Sequence, residues 1–490
     1  MKRNQPTTLW RCTAVASAVI SLAACGGGSG SSGPSTPPPA GPSTQELVQK
    51  YVQASEALLA QRMPDAGAER YSLVDACYLG NGSTKTMLVA NWSAAQAQNA
   101  AYLVGRKMAN VQVLAERKTA NADGSARHEV DIGYDEQYID GTSVTGQVQT
   151  LVSGSSSGSC ATPQTGEALR ELGNRRVAAV RLVSRNRLQV FRKLADGAQA
   201  NTPYQLRREV LFSVTDPAKV ATYALVSWAS GKAGAAPHSL KLLSPRIARD
   251  AAEMQGLVGN ANWTDGDSFR NCRSNADNTE ANAATADCTK LGARTDAWGY
   301  NVHRFDAEGF AGGDAVIASL GLDKAGADVT FALYADDGWK TVNGQQGKTP
   351  IATYVVKLKN PSYPFAQFDV EAFPRFLDLS PGEAEIVAAF KASGGTAQAE
   401  LQAAKPPAGG LPMARSALYS FRQGPKDASA SGPAVVRTAS MPGTVAADGK
   451  TASIPFGGKP DGASATNYAE FGLTYTDRNG RDMHYTLEYQ

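Results

Sequence analysis

Few residues in this chain are spaced for chemistry, and most of those that are fail on their neighbours. Gly154-Ser155-Ser156-Ser157-Gly158 fits G-x-S-x-G, the pattern in which a strained strand-to-helix turn lifts a nucleophilic serine into the open. Ser156 lies inside SGSSSGS, however, and Cys160, Ala161, Thr162 and Pro163 follow where the helix would have to begin, so the segment reads as a hairpin loop. Gly347-Lys348-Thr349 matches the end of a phosphate-binding loop, whose glycines let backbone amides surround a phosphate. Val342 stands where the first glycine belongs, and Pro350 opens a strand where a helix is required, which leaves a turn. Asp265-Gly266-Asp267 and Asp336-Asp337-Gly338 set carboxylates close together in loops that Ca²⁺, a hard oxygen-seeking cation, would accept, but neither completes a twelve-residue calcium loop. The cofactor expectation is therefore none, with Ca²⁺ the one ion these loops would suit. Trp263, Trp298, Tyr300 and Trp339 fall in the same region, where exposed rings would stack on sugars and buried ones would fill a core. The histidines at 128, 238, 303 and 484 are scattered and no C-x-x-C pair exists, so zinc has no ligand set.

Charge is distributed less evenly than its total suggests. From Arg170 to Arg208 ten basic residues stand against Glu171 and Asp196, and from Asp250 to Lys340 fifteen acids stand against seven bases. Alternation expects many of the arginines on the solvent side of sheet strands, across from Val183, Val190 and Leu194, although Arg192 shares the parity of Val190. Arg176, Arg181, Arg185, Arg187 and Arg207 form the candidate face. It would dock on the acidic region as an internal interface, hold an anionic polymer of a cell envelope, or remain solvated surface. For the whole chain, removing Lys2, Arg3 and Arg11 leaves 45 basic residues against 45 acidic ones, a balance that argues against a nucleic-acid partner.

The elements that would carry these residues read as follows. Residues 26–44, GGGSGSSGPSTPPPAGPST, have almost nothing to bury and read as a flexible tether spanning roughly 25 Å. Thr44 is a plausible N-cap for a helix over 45–61, with Leu47, Tyr51, Ala54, Leu58 and Leu59 at helical spacing. A second helix is expected over 93–108. Period-two patterns then place strands at 111–118, 126–134, 142–152, 176–184, 187–194, 204–214 and 220–228. Residues 260–296 read as a long loop, strands resume at 327–334 and 351–358, and the last hundred residues add strands at 396–403 and 417–421. A closing hairpin, 468–476 with 483–489, turns at Asp477-Arg478-Asn479-Gly480. The expected fold class is an α+β N-terminal domain, helices plus an antiparallel meander, followed by all-β sandwich-like module(s). The boundaries expected are 45–240 for the α+β domain, 241–375 for a loop-rich β domain with a disulfide, and 376–490 for a β-sandwich-like module. In element order the first domain resembles the cystatin-like cone of the NTF2 superfamily. The strand spacing of the last resembles fibronectin type III and immunoglobulin-like modules.

The N-terminus carries an address. Lys2, Arg3 and Arg11 precede an uncharged run from Thr13 to Ser21, the basic and apolar regions of a secretory signal, and this run is too short to span a bilayer of ~30 Å. Leu22-Ala23-Ala24-Cys25, followed by Gly26-Gly27-Gly28, resembles the lipobox of bacterial lipoproteins. The resemblance covers residues 1–25 and implies that 1–24 are a signal peptide. Cys25 would then be lipidated, by diacylglyceryl and palmitate-type chains, as the first residue of a tether over 25–44. Gly26, where an aspartate would imply inner-membrane retention, points to the outer membrane. Two or more acyl chains hold a soluble domain on a bilayer stably, where one gives only marginal binding.

With Cys12 removed and Cys25 acylated, Cys77, Cys160, Cys272 and Cys288 remain, an even number in an oxidising compartment. Three pairings are open, and the parsimonious one is Cys77–Cys160 with Cys272–Cys288. No convergent Ser/His/Asp, Cys/His or metal spacing survives, so the functional expectation leans away from an enzyme. It is a lipid-anchored envelope protein that binds or scaffolds, with the membrane and an anionic envelope polymer or a protein as partners. A hydrolase acting on polysaccharide or peptidoglycan through a carboxylate pair in the acidic region is the alternative.

Overall fold

The computed structural model describes residues 41–61, 71–89, 104–120, 126–139, 143–154, 168–250, 268–272, 303–308, 313–341, 343–367, 376–380, 382–392, 397–403, 416–425, 437–445, 451–457, 464–476 and 481–490, with the single residues 141 and 370. The expected signal, Cys25, Cys160, Cys288, Ser156, Asp265, Asp267, Trp263, Trp298 and Tyr300 lie outside these residues. Among the described residues no helix is long and apolar enough to cross a membrane.

Helix α1 (Thr44–Leu59) starts one residue earlier than its spacing suggests. Ser43, not Thr44, is the cap: its Oγ accepts from Glu46 N at 3.3 Å, and the Glu46 carboxylate accepts from Ser43 N at 2.7 Å. This reciprocal capping satisfies two amides that the first turn leaves without helical partners. Thr44 instead donates its hydroxyl to Glu116 Oε1 at 2.8 Å, tying the helix start to a sheet.

That sheet has four strands in the order β3 (Lys107–Ala120), β4 (Ala126–Gln137), β5 (Ser143–Gly154) and β6 (Arg170–Gly173). A two-stranded hairpin precedes it, β1 (Leu79–Gly80) with β2 (Ser83–Thr84), turning at Asn81 and Gly82, both at positive φ as a two-residue hairpin loop requires. Val48 and Tyr51 of α1 pack on Val130, Ile132, Leu151 and Leu169, and each such side chain contributes about 1.5–3 kcal/mol on full burial. The second helix expected over 93–108 is corrected at its end, because Lys107 and Met108 begin β3. Residues 93–103 lie outside the described ones.

The remaining strands are β7 (Ala179–Arg192), β8 (Gln199–Thr215), β9 (Tyr223–Trp228), β10 (His238–Leu243), β11 (Arg270–Asn271), β12 (His303–Glu308), β13 (Asp328–Tyr334), β14 (Ala352–Lys357), β15 (Phe376–Ser380), β16 (Ala397–Ala403), β17 (Ser416–Pro425), β18 (Arg437–Val445), β19 (Thr451–Phe456), β20 (Ser464–Thr476) and β21 (Asp482–Tyr489). A five-stranded sheet has the order β11-β10-β9-β13-β14, and a ten-stranded one the order β12-β8-β7-β21-β20-β17-β18-β19-β16-β15. Short helices α2 (Pro245–Asp250), α3 (Gly313–Ser319) and α4 (Glu383–Lys391) fall between strands. The fold is thus mostly β, with a helix-bearing N-terminal region and sandwich-like sheets after it.

Neither expected internal boundary coincides with a sheet boundary. The one at 240/241 cuts through β10, and the ten-stranded sheet takes strands from all three expected segments. The joint is the parallel pairing of β21 with β7, in register from Asp482 opposite Arg185 to Tyr489 opposite Arg192. Every other pairing between the named strands is antiparallel.

Besides the cluster under α1, two apolar cores form among the described residues of these strands. One lies against the five-stranded sheet and includes Val180, Val210, Phe212, Val226, Trp228, Phe331 and Leu333. The other gathers Leu188, Ile386, Phe390, Tyr419, Phe456, Phe471 and Tyr489, with α4 across the C-terminal strands. Strands β7 and β8 pass through both.

Candidate functional site

The arginines expected on a surface strand converge instead inside the ten-stranded sheet. Residues 176–184 and 187–194 read as two strands, but β7 is unbroken from 179 to 192. Its parity therefore carries through, and Val183 shares the face of Arg185 and Arg187 rather than opposing them. On that face Arg185 lies directly across from Glu209 of β8 and Arg187 across from Arg207. The parallel neighbour β21 supplies Thr486 and Glu488, and β20 sets Glu470 directly opposite Glu488.

Arg187 is the centre. Its side chain is 4% exposed, and Glu209 beside it is fully buried. One terminal nitrogen donates to Glu209 Oε1 at 3.5 Å. The other reaches Glu488 Oε1 at 3.0 Å, Glu470 Oε2 at 3.3 Å and Thr486 Oγ1 at 3.4 Å. The Thr486 hydroxyl donates to Glu488 Oε1 at 2.9 Å, and Gln189 donates to the same oxygen. Arg185 pairs with Glu209, and the Tyr468 phenol donates to Glu470. Burial alone would discourage a charge on Arg187, but the carboxylates of Glu209, Glu470 and Glu488 outweigh it and hold the guanidinium above its ordinary value. Burial, and then the Glu470 charge, push the Tyr468 phenol up, so it stays a neutral donor.

The other arginines are elsewhere. Arg176 lies over the Tyr354 ring at 5.1 Å, Arg181 is exposed, and half-buried Arg207 donates to Gln205 Oε1 at 2.9 Å. Arg192 faces Glu383 at 3.6 Å, and Arg208 pairs with Asp314 at 2.6 Å. Of the five residues singled out, Arg181, Arg185, Arg187 and Arg207 share one face by parity, Arg181 at its exposed end and outside the network, while Arg176 precedes β7. The carboxylates that meet Arg187 come from β8 and the C-terminal strands, and the acidic middle region supplies Asp314 to Arg208.

Elsewhere, Asp336 Oδ1 accepts from Tyr223 OH at 3.1 Å and Gly338 N at 2.8 Å, which organises a turn, and Asp337 faces Lys348 at 3.4 Å. Among the described residues no group of three or more His, Cys, Asp or Glu is placed to hold a metal. Trp339 is buried, and Gly347 sits at φ 72 in the turn before β14. Cys77 and Cys272 are each disulfide-bonded.

Sequence reasoning missed Glu209, Glu470 and Glu488. The available signal was the alternation of 482–489, in which His484, Thr486 and Glu488 share a face opposite Met483, Tyr485, Leu487 and Tyr489. No protein-family model matches this chain, and no curated protein matches it in sequence.

Proposed function

We propose that this chain is a lipid-anchored protein of the bacterial outer membrane with a non-catalytic, binding or scaffolding role. The observation that carries the reading is the Arg187 network. This buried group of ionisable side chains is spent on internal partners that join the arginine strands to the C-terminal strands. The anchor rests on Leu22-Ala23-Ala24-Cys25, and the pairings Cys77–Cys160 and Cys272–Cys288 belong to the same proposal. An anionic envelope polymer or a protein would meet exposed groups such as Arg175 and Arg181, because Arg185 and Arg187 are committed inward.

Glu470 and Glu488 favour the hydrolase alternative to one degree, since they are opposed across two strands and share one guanidinium. Both carboxylates already accept from Arg187, however, and their side chains are 13% and 4% exposed, which leaves little of either open to a substrate. The test is full-length protein in a bacterial host, labelled with a fatty acid and fractionated, beside Cys25→Ser. The proposal expects label and membrane pelleting in the first and neither in the second. Labelling of the variant overturns the anchor. Peptidoglycan or polysaccharide cleavage abolished by Glu470→Gln overturns the non-catalytic role.

A further inference from the structure

The face of β7 and β8 opposite the charge network changes character along its length. Val180 and Leu182 of β7, with Val210 and Phe212 of β8, belong to the first core, and Leu188 and Leu206 belong to the second. Between them stand Ser184, Asn186 and Arg208, all buried, with Asn186 directly across from Arg208. A polar belt therefore separates two apolar cores on one continuous pair of strands.

One segment crosses that belt. Residues 359–365 follow β14 and are fixed by side chains rather than by strand pairing. Asn186 imitates a backbone partner, donating Nδ2 to Tyr363 O at 3.0 Å and accepting from Tyr363 N at 2.8 Å. Ser362 N donates to Ser184 Oγ at 2.8 Å, and Arg208, 1% exposed, donates to Ser362 Oγ at 3.1 Å and Ser362 O at 3.0 Å. Asp314 of α3 accepts both from Arg208 and from Phe365 N. Apolar side chains alternate with these bonds: Leu358 and Phe365 pack in the first core and Tyr363 against the second. The outer connections extend the reach. Lys359 donates to Thr145 O at 2.6 Å on β5, and Arg481, beside β21, donates to Pro361 O at 2.8 Å and covers the Tyr363 ring at 4.1 Å.

We propose that residues 359–365 are a latch that joins the two cores into one cooperative unit, and that releasing it lets the C-terminal strands open while the first core stays folded. A lone buried hydrogen bond does little for folding as a whole, but bonds that cross a boundary between cores decide whether both sides open together. The same strands carry the Arg187 network on their other face, so the joint is polar on both sides. Without the latch, β7 and β8 remain as the link between the cores.

The experiment is amide hydrogen exchange on the full chain carrying Asn186→Ala. Losing two bonds at about fivefold each predicts exchange roughly 25-fold faster in 416–425, 464–476 and 482–489, with 223–228 and 328–334 at wild-type rates. Asn186→Asp keeps the acceptor for Tyr363 N and is expected to give about half of that effect on a logarithmic scale. Equal loss of protection in both cores, or no change in either, overturns the latch. Should Asn186→Ala fail to fold, exchange of the wild type in rising sub-denaturing urea decides. The latch expects the amides of Ser362 and Tyr363 to open together with the C-terminal strands and before β9 and β13. Opening of both cores in one step overturns it.

Discussion

Two parts of this molecule pair arginine with carboxylates across neighbouring strands, one buried and one wet. In the ten-stranded sheet Arg187 is 4% exposed among Glu209, Glu470 and Glu488. On the outer face of the four-stranded sheet Arg117 is 45% exposed, reaching Asp131 through two bonds at 2.6 and 3.0 Å and Glu129 at 3.3 Å. The second geometry is the better formed, yet it matters less to the fold. Water would solvate Arg117 and Asp131 almost as well, whereas nothing but each other can satisfy the buried groups. Hydrogen-bond length alone therefore misjudges which pair holds the structure together.

Removing Arg187 should break the comparison most visibly. Arg187→Met keeps much of the volume and leaves Glu470 and Glu488 without this cation, Glu209 keeping Arg185, so urea unfolding should show a loss of about 3–5 kcal/mol. Phe390→Ala tests whether the apolar side of the same sheet matters as much. Phe390 is fully buried, within 6.2 Å of the Tyr419, Phe456, Phe471 and Tyr489 ring centres, and its truncation should cost about 3–5 kcal/mol in the same assay. Cys272→Ser comes next: with the short-loop pairing to Cys288 the cost is about 3 kcal/mol, and exchange should rise near 268–272 while α1 and its sheet keep their protection.

The wet pair gives the smallest effect. Arg117→Ala should cost under about 1 kcal/mol. It should also change the acid limb. The Arg117 hydrogen bond holds the Asp131 carboxyl below its ordinary value of 3.8. A depressed folded value means the unfolded chain takes up the proton first, so this contribution is whole above pH 3.8 and is lost as pH falls through the folded value. Stability measured from pH 5 downward should therefore decline less steeply in Arg117→Ala than in the wild type.

The two regions also differ in how far the sequence revealed them. The helix and the first three strands of the four-stranded sheet follow from local periodicity with their ends shifted by a few residues, the short β6 was not read, and the cap moved by one residue because Glu46 lies three positions after Ser43 rather than Thr44. The arginines were visible as a cluster, but their partners were not. Glu209 follows Arg208 directly, just past the basic run, and Glu470 and Glu488 arrive through a parallel pairing between residues some three hundred positions apart. Local pattern cannot choose between neighbours at that separation, since loop closure over hundreds of residues leaves no trace in composition. Splitting β7 at Arg185 and Asn186 had the same origin: polar residues in mid-strand read as a turn, whereas Asn186 is buried and occupied with Tyr363. Asp336 was legible as a turn former and needs no ion to explain its place.

The arginine stretch is an internal seam between β7 and the C-terminal strand β21. A double-mutant cycle measures it directly, with Arg187→Met, Glu488→Gln and the two combined in the full chain, followed by urea unfolding. The seam predicts coupling of about 1–3 kcal/mol, the double variant being more stable than the sum of the single losses implies. Additivity within about 0.5 kcal/mol would contradict it and return Arg187 to the solvent-facing role that its charge alone suggested.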